Sequence, residues 1–386
     1  MRHWLLPEYI EDVLPEEAAR MEQVRRRLLD LFRSHGYQLV IPPLLEYLES
    51  LTTGAGHDLE LATFKVVDLL SGRLMGISAD ITPQTARIDA HLLNRQGVTR
   101  LCYAGSVLRT RPDGLAQTRQ PIQVGAELFG HPGIESDVEI QRLMVQALQA
   151  AGVQSLQIDF SHVGIFRGLI KRGQIDRSLE DALHQALQSK DKSATAALTH
   201  HLPEEIRRAL LALIDLNGGI DCLQSAQALL PQFAEIKQAL QDLRRIAQQL
   251  SGLAVKVSFD LAELRGYHYH SGMVFAAYAQ GYAGPLALGG RYDEVGSAFG
   301  RARAATGFSL DLRGLATALP EAVAEQGILA PYDDDPSLQL LIQALRSAGE
   351  IVIVDLPGHE QCRSELNCNR KLTKNKQGWE VVPADF

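Results

Sequence analysis

The sequence predicts an α+β fold: an antiparallel sheet flanked by helices, with a helical module inserted into it and a small C-terminal α/β appendage. Three observations carry that expectation. Short strand-like runs alternate with amphipathic stretches over 1–172 and again over 251–320. From about 173 to 250 the chain turns rich in Ala, Leu and Gln, with helical periodicity, breaks at Pro203, Asn217-Gly218-Gly219 and Pro231, and no strand-like segment. After Leu319-Pro320 the texture changes again, to an acidic linker containing Asp333-Asp334-Asp335-Pro336 and then the appendage, 321–386.

Taken in order, Pro15-Glu16-Glu17 followed by Ala18, Met21, Val24, Leu28, Leu31 and Phe32 reads as a helix, with Pro and acids in its first turn and Gly36 past its end. A strand over Tyr37 to Ile41 runs into Pro42-Pro43, which remove two amide donors and must end or edge a sheet. Further strands are expected at 64–69, 74–78, 101–109, 121–129, 156–160, 254–260, 272–279 and 285–288. In the appendage a helix at 337–347 leads to a strand at 350–354, Gly358 and a basic stretch.

The 386 residues, 46% hydrophobic and 22% charged, suit one large domain of roughly 300 residues plus an appendage. Arg and Lys total 38 against 46 acidic residues, a net charge of -8, so the global basic excess of an electrostatic nucleic-acid binder is missing. Cys102, Cys222, Cys362 and Cys368 show neither CxxC nor Cys/His zinc spacing, which points to reduced thiols in a cytosolic protein and to no metal cage. Five carboxylates and no apolar core in the first twenty residues exclude a secretory signal. Ser271 to Gly290 is uncharged but holds Gln280, several Gly and Pro285, and reads as a buried hairpin. A cytoplasmic protein with no membrane partner is expected.

Several segments could carry chemistry. Arg109 and Arg111 fall two apart on an expected strand and so share a face that invites an anion. A turn containing Pro112, Asp113 and Gly114 leads to Arg119 and to Gln123, Gly125 and Glu127, where Gln and a carboxylate on either side of a glycine space suit a ligand ammonium or azole N–H. A solvated sheet face with Arg/Glu pairs is an equal alternative at this point. Asp80 and Thr82, at a strand end ahead of Pro83, could hold an ammonium or simply cap a helix. Leu264-Arg265-Gly266-Tyr267-His268-Tyr269-His270 is dense in polar aromatics, and Arg265 beside Gly266 suggests backbone held close to a ligand. His268 and His270 lack a third metal ligand nearby, Gly289-Gly290 is a hairpin turn on its own, and His131, His200 and His201 receive no role. No GxxxxGK[ST] or GxGxxG pattern occurs.

Taken together, roughly residues 5 to 320 resemble histidyl-tRNA synthetase, a class II aminoacyl-tRNA synthetase. Gly36 to Pro43 with its upstream helix resembles motif 1, which implies a homodimer through this region. Arg109 to Glu127 resembles motif 2, and Ala305 to Leu315 resembles motif 3. Arg265 to Gly272 and Gly289 to Asp293 resemble the two histidine-specific motifs. The resemblance implies a class II synthetase-like core and a histidine site of Asp80, Thr82, Arg109, Gln123, Glu127, Arg265 and Tyr269.

The departures from the pattern fall on the nucleotide side. Arg111 stands where the synthetases have the Glu that places adenine, and Gly314 stands where they have the Arg that clamps the γ-phosphate. A position without a side chain cannot stabilise developing charge. His268-Tyr269-His270 replaces Asp-Tyr-Tyr, Ser78 replaces an Arg, and too few residues follow the core for an anticodon-binding domain. These features are similar to those of the regulatory subunits of short-form ATP phosphoribosyltransferase, paralogues of the synthetase. That resemblance implies no catalytic residue, no cofactor and no tRNA. It also implies a hetero-oligomer with the short catalytic subunit, a role in the first step of histidine biosynthesis, and L-histidine as a feedback ligand. The alternative expectation is an active histidyl-adenylate-forming enzyme, favoured by Arg109 and Arg265 and opposed by Arg111 and Gly314.

Overall fold

Pro15 has no amide hydrogen to leave unpaired, and with Glu16 and Glu17 it opens α1 (Pro15–Ser34). The helix buries Met21, Val24, Leu28 and Phe32, and Gly36, at φ +82°, turns the chain out of it. The computed structural model describes residues 4–53, 57–112, 118–319 and 326–384. Asp113 and Gly114, named above as turn residues, lie outside them.

The chain continues through β1 (Gln38–Leu39), β2 (Leu45–Tyr47), β3 (Phe64–Val67), β4 (Leu74–Ile77), α2 (Thr82–Arg87), β5 (Thr99–Ser106) and β6 (Ile122–Phe129). Helix α3 (Ile134–Ala151) and strand β7 (Leu156–His162) follow. Next come α4 (Val163–Gly173), α5 (Arg177–Gln188), α6 (Lys192–Thr199), α7 (Glu204–Leu213), β8 (Asn217–Gly218), α8 (Asp221–Leu229) and α9 (Ala234–Leu250). The core closes with β9 (Val255–Asp260), β10 (Met273–Ala279), β11 (Ala287–Arg291), β12 (Ala305–Asp311) and α10 (Leu312–Thr317).

Nine strands form one sheet in the order β1-β5-β6-β12-β11-β10-β7-β9-β8, and β2-β4-β3 form a second. The large sheet is antiparallel except at β1–β5 and β7–β9, which run parallel. The second exception follows from the chain between β7 and β9, whose helices supply the long crossover that parallel pairing requires. Phe32 of α1 meets Phe308 of β12 edge to face at 5.9 Å, which fixes α1 over the middle of the sheet.

Three expectations need correction. The strand expected at 101–109 ends at Ser106, so Arg109 and Arg111 are not strand neighbours on one face. The 173–250 stretch does contain a strand, β8, whose two residues pair with Phe259 and Asp260. Two residues, with Gly218 at φ +127°, carry too little alternation to be seen in sequence. The strands β2 and β12 were not expected either: β2 is three residues long, and the Gly and Ser within β12 blur its apolar pattern.

By contact the chain divides into two units, Met1–Pro320 and Glu321–Phe386. The second unit holds β13 (Gly327–Pro331), α11 (Pro336–Ser347), β14 (Val352–Asp355), β15 (Cys368–Asn375) and β16 (Gly378–Pro383). Its sheet order is β14-β13-β15-β16, and Leu338 and Ile342 of α11 pack on Ile328, Ala330, Val352 and Leu372. The basic stretch is thus a hairpin. Its cations pair outward, Arg370 with Glu350 and Lys374 with Asp335, each at 2.7 Å, while Leu372 and Trp379 turn inward.

Candidate functional site

Register places the chemistry. On β6, Gln123 lies opposite Gly105 of β5 and Asp311 of β12, Gly125 opposite Tyr103, and Glu127 opposite Leu101 and Gly307. A Cβ built on Gly125 would overlap the Tyr103 hydroxyl, and one on Gly307 would overlap the Glu127 carboxyl. The space at Gly125, read from sequence as room for a ligand, is therefore filled by the end of Tyr103. Glycine is required there so that an aromatic residue can cross its own sheet.

Tyr103 donates to Glu127 Oε1 at 3.0 Å, and Thr82 Oγ1 lies 3.0 Å from the same hydroxyl, where it can serve as donor. Tyr292 donates to Glu127 Oε2. Both carboxyl oxygens are thus met by phenols rather than by a cation, and the residue is 1% exposed. Burial pushes the Glu127 carboxyl up to about 8, against the opposing pull of the two tyrosine hydrogen bonds. The same burial raises the phenols of Tyr103, Tyr292 and Tyr269 above their ordinary range.

Gln123 fastens the neighbouring loop to this cluster. Its Nε2 donates to Asp80 Oδ1 and its Oε1 accepts from Ile81 N, each at 2.8 Å. Asp80 Oδ1 also accepts from Thr82 N at 2.9 Å, so the carboxylate both shapes the turn ahead of α2 and faces Gln123. Gln123→Ala removes both clasps and should cost about 1 to 2 kcal/mol in denaturant unfolding. Unchanged stability would show that the loop does not depend on them.

Tyr269 stacks on Tyr292 with ring centroids 5.2 Å apart, and its hydroxyl is buried without a partner. The tight backbone at Gly266, φ +63°, has a different cause from the one sequence suggested. A Cβ there would come within 2.8 Å of the His270 ring, so the close approach is made by His270 and not by a ligand. Burial lowers the His270 imidazole to about 4. His268 instead lies 3.5 Å from Asp181, and among the described residues no group of three or more His, Cys, Asp or Glu is placed to hold a metal ion.

Beside the cluster lies a cavity of about 440 Å³ lined by Arg109, Gln123, Arg265, Tyr282, Asp311 and Gly314, among others. Arg109 Nε donates to Ala79 O at 3.3 Å, and Arg265 lies 3.6 Å from Glu263. Five of the sequence-derived site residues are brought into one cluster: Glu127 is the tyrosine-lined carboxyl, Thr82 and Tyr269 pack on its tyrosines, and Asp80 and Gln123 join through Thr82. Gln123 joins them to the cavity that holds the other two, Arg109 and Arg265. Arg111 is exposed and is not among the residues that line this cavity. Sequence reasoning passed over Tyr103, Tyr282 and Tyr292. An aromatic residue facing a glycine across two strands is the signal that could have found Tyr103.

Sheet, glycine crossings and this polar cluster define a histidyl-tRNA synthetase-like protein of the class II type. A histidyl-tRNA synthetase family model matches residues 9–315, and a model described as the ATP phosphoribosyltransferase subunit HisZ C-terminal domain matches residues 325–382. The chain is 62% identical over 384 residues to the ATP phosphoribosyltransferase regulatory subunit of Methylobacillus flagellatus, covering 100% of this chain and 99% of the relative. The subunit of the same name from Cupriavidus necator is 58% identical, with 99% of both chains covered. A solved ATP phosphoribosyltransferase regulatory subunit/histidyl-tRNA synthetase from Bacillus halodurans C superposes with a TM-score of 0.84 at 26% identity, over 94% of this chain and 96% of that one. The histidyl-tRNA synthetase of Nostoc sp. PCC 7120, at 18% identity and a TM-score of 0.80, shares the fold over 100% of this chain and 98% of its own. The chain belongs to the family of ATP phosphoribosyltransferase regulatory subunits. The matched C-terminal domain of that family, 325–382, accounts for most of the appendage.

Proposed function

We propose that this chain is a regulatory subunit of ATP phosphoribosyltransferase that docks on a separate catalytic subunit, is required for the first step of histidine biosynthesis, and carries feedback by L-histidine. Phosphoribosyl transfer takes place on the partner. The names of relatives matched along nearly their whole length support this over an adenylate-forming enzyme. The observation that carries the ligand assignment is the buried, partnerless Tyr269 hydroxyl beside the Glu127 cluster. Such a group costs about 1 to 3 kcal/mol when left unpaired, and an azole nitrogen would satisfy it.

In this site the histidine ammonium faces Asp80, Thr82 and Gln123, the imidazole lies between Glu127 and Tyr269, and the carboxylate faces Arg109 and Arg265. The exposed Leu39, Ile41 and Leu44 support a homodimer through the Gly36–Pro43 region. Net charge -8 makes the chain a poor tRNA ligand. Among the described residues no helix is long and apolar enough to cross a membrane, which is compatible with a cytoplasmic complex.

The test is phosphoribosyl-ATP formation by the separately purified short catalytic subunit, with and without this chain, across a histidine series. Stimulation together with a changed histidine response is the expected outcome. No change in rate and no co-elution of the two chains would remove the assignment.

A further inference from the structure

Arg109 and Arg265 line one cavity of about 440 Å³, and a pair of guanidiniums attracts carboxylates and phosphates alike. Two arginines by themselves do not distinguish a one-carboxylate amino acid from a phosphate chain. The corner of the cavity at Gly314 does. A Cβ built on Gly314 would lie 2.6 Å from the Tyr282 hydroxyl and 3.5 Å from Asp311 Oδ2. The phenol thus occupies the volume that any side chain at 314 would enter.

Tyr282 is held in that position. Its backbone N donates to Ala279 O at 3.3 Å, and its ring packs against the main hydrophobic core. Thr317 Oγ1 donates to Gly314 O at 2.8 Å, which braces the helix turn that carries Gly314 beneath the phenol. Asp311 caps the same helix, accepting from Arg313 N at 3.1 Å, Gly314 N at 3.4 Å and Ile122 N at 3.1 Å. A phosphate entering this corner would meet a fixed phenol and a carboxylate whose lone pairs point into its own backbone cradle.

We propose that Tyr282, with Asp311 beside it, is the specificity determinant of this cavity, closing the Gly314 corner so that a ligand with one carboxylate fits and a polyphosphate chain does not. The inference rests on reading the cavity as the amino-acid site. Tyr282 acts by occupying volume, so its removal should widen the range of anions accepted, and a cation placed at 314 should become useful only once the phenol is gone.

Equilibrium titrations of the intact chain with inorganic tripolyphosphate, ATP and L-histidine test this in the wild type, Tyr282→Ala, Gly314→Arg and the double variant. Tripolyphosphate affinity is expected to rise at least tenfold in Tyr282→Ala and further in the double variant, with no gain in Gly314→Arg alone. Tyr282→Leu, which keeps apolar bulk against α10, replaces Tyr282→Ala if circular dichroism shows that the alanine variant is unfolded. Equal tripolyphosphate affinity in all folded variants, or a gain in Gly314→Arg matching the double variant, overturns the proposal. The histidine titration of the wild type reads the amino-acid assignment separately. Silence there with a polyphosphate gain in the variants leaves Tyr282 as the determinant and removes only the histidine ligand.

Discussion

Glu127→Gln is expected to weaken histidine binding about 10- to 100-fold while making the free protein more stable at pH 8. The two effects share one cause. Glu127 is buried with tyrosine hydroxyls on both oxygens, and its carboxyl is pushed up to about 8 by burial. In the unfolded chain the same group ionises near 4.5. Between those values the unfolded state binds fewer protons than the folded one, so stability is full below about 4.5 and is lost as pH rises toward 8. A glutamine has no proton to lose, fits the same space and can still accept from a tyrosine. Denaturant titrations from pH 5 to 9 should therefore show a falling stability in the wild type and a flatter one in the variant, which gains on the order of a few kcal/mol at the alkaline end. In the proposed site the variant lacks the ionisable acceptor that Glu127 would offer a histidine imidazole. Parallel pH slopes for the two proteins would show that the Glu127 proton is not linked to folding. Equal histidine affinities would take Glu127 out of the site.

Gly125→Ala is expected to cost about 2 to 3 kcal/mol of stability and to abolish measurable histidine binding. An added Cβ would overlap the Tyr103 hydroxyl, lie 2.5 Å from Tyr103 Cζ and 2.7 Å from the Phe308 carbonyl. The phenol must then leave, which breaks its contacts with Thr82 and Glu127 together. Tyr103→Phe in the Gly125→Ala background should recover part of the stability, because the first overlapping atom is gone, but none of the binding. A double-mutant cycle in thermal or denaturant unfolding measures that coupling. Full additivity of the two substitutions would mean that they do not share the space at 125.

Much of this architecture was legible. The proline and acids of α1 and its helical spacing of Met21, Val24, Leu28 and Phe32 state their own structure, because local propensity and burial agree there, and the alternation in β6 marks a strand although both of its faces are buried. Motif spacing likewise marked Asp80, Thr82, Gln123 and Glu127, which meet within one hydrogen-bonded set. Arg111 was grouped with Arg109 by a two-residue period, and the strand ends before either of them. The hairpin of β15 and β16 was hidden because Arg370 and Lys374 fill positions that an apolar residue would have advertised.

The sequence by itself determined the class of the fold and the family, since those depend on periodicity and motif spacing along the chain. Tertiary structure alone decided which groups stand next to them. That Gly125 is filled by Tyr103 and that Gly314 lies under Tyr282 depend on distances between segments far apart in sequence, and that Gly266 is pressed by His270, four residues on, depends on how their loop folds back. A glycine reads as freedom in a sequence. In this fold each of these three is a position where another residue's side chain already occupies the space that a Cβ would need.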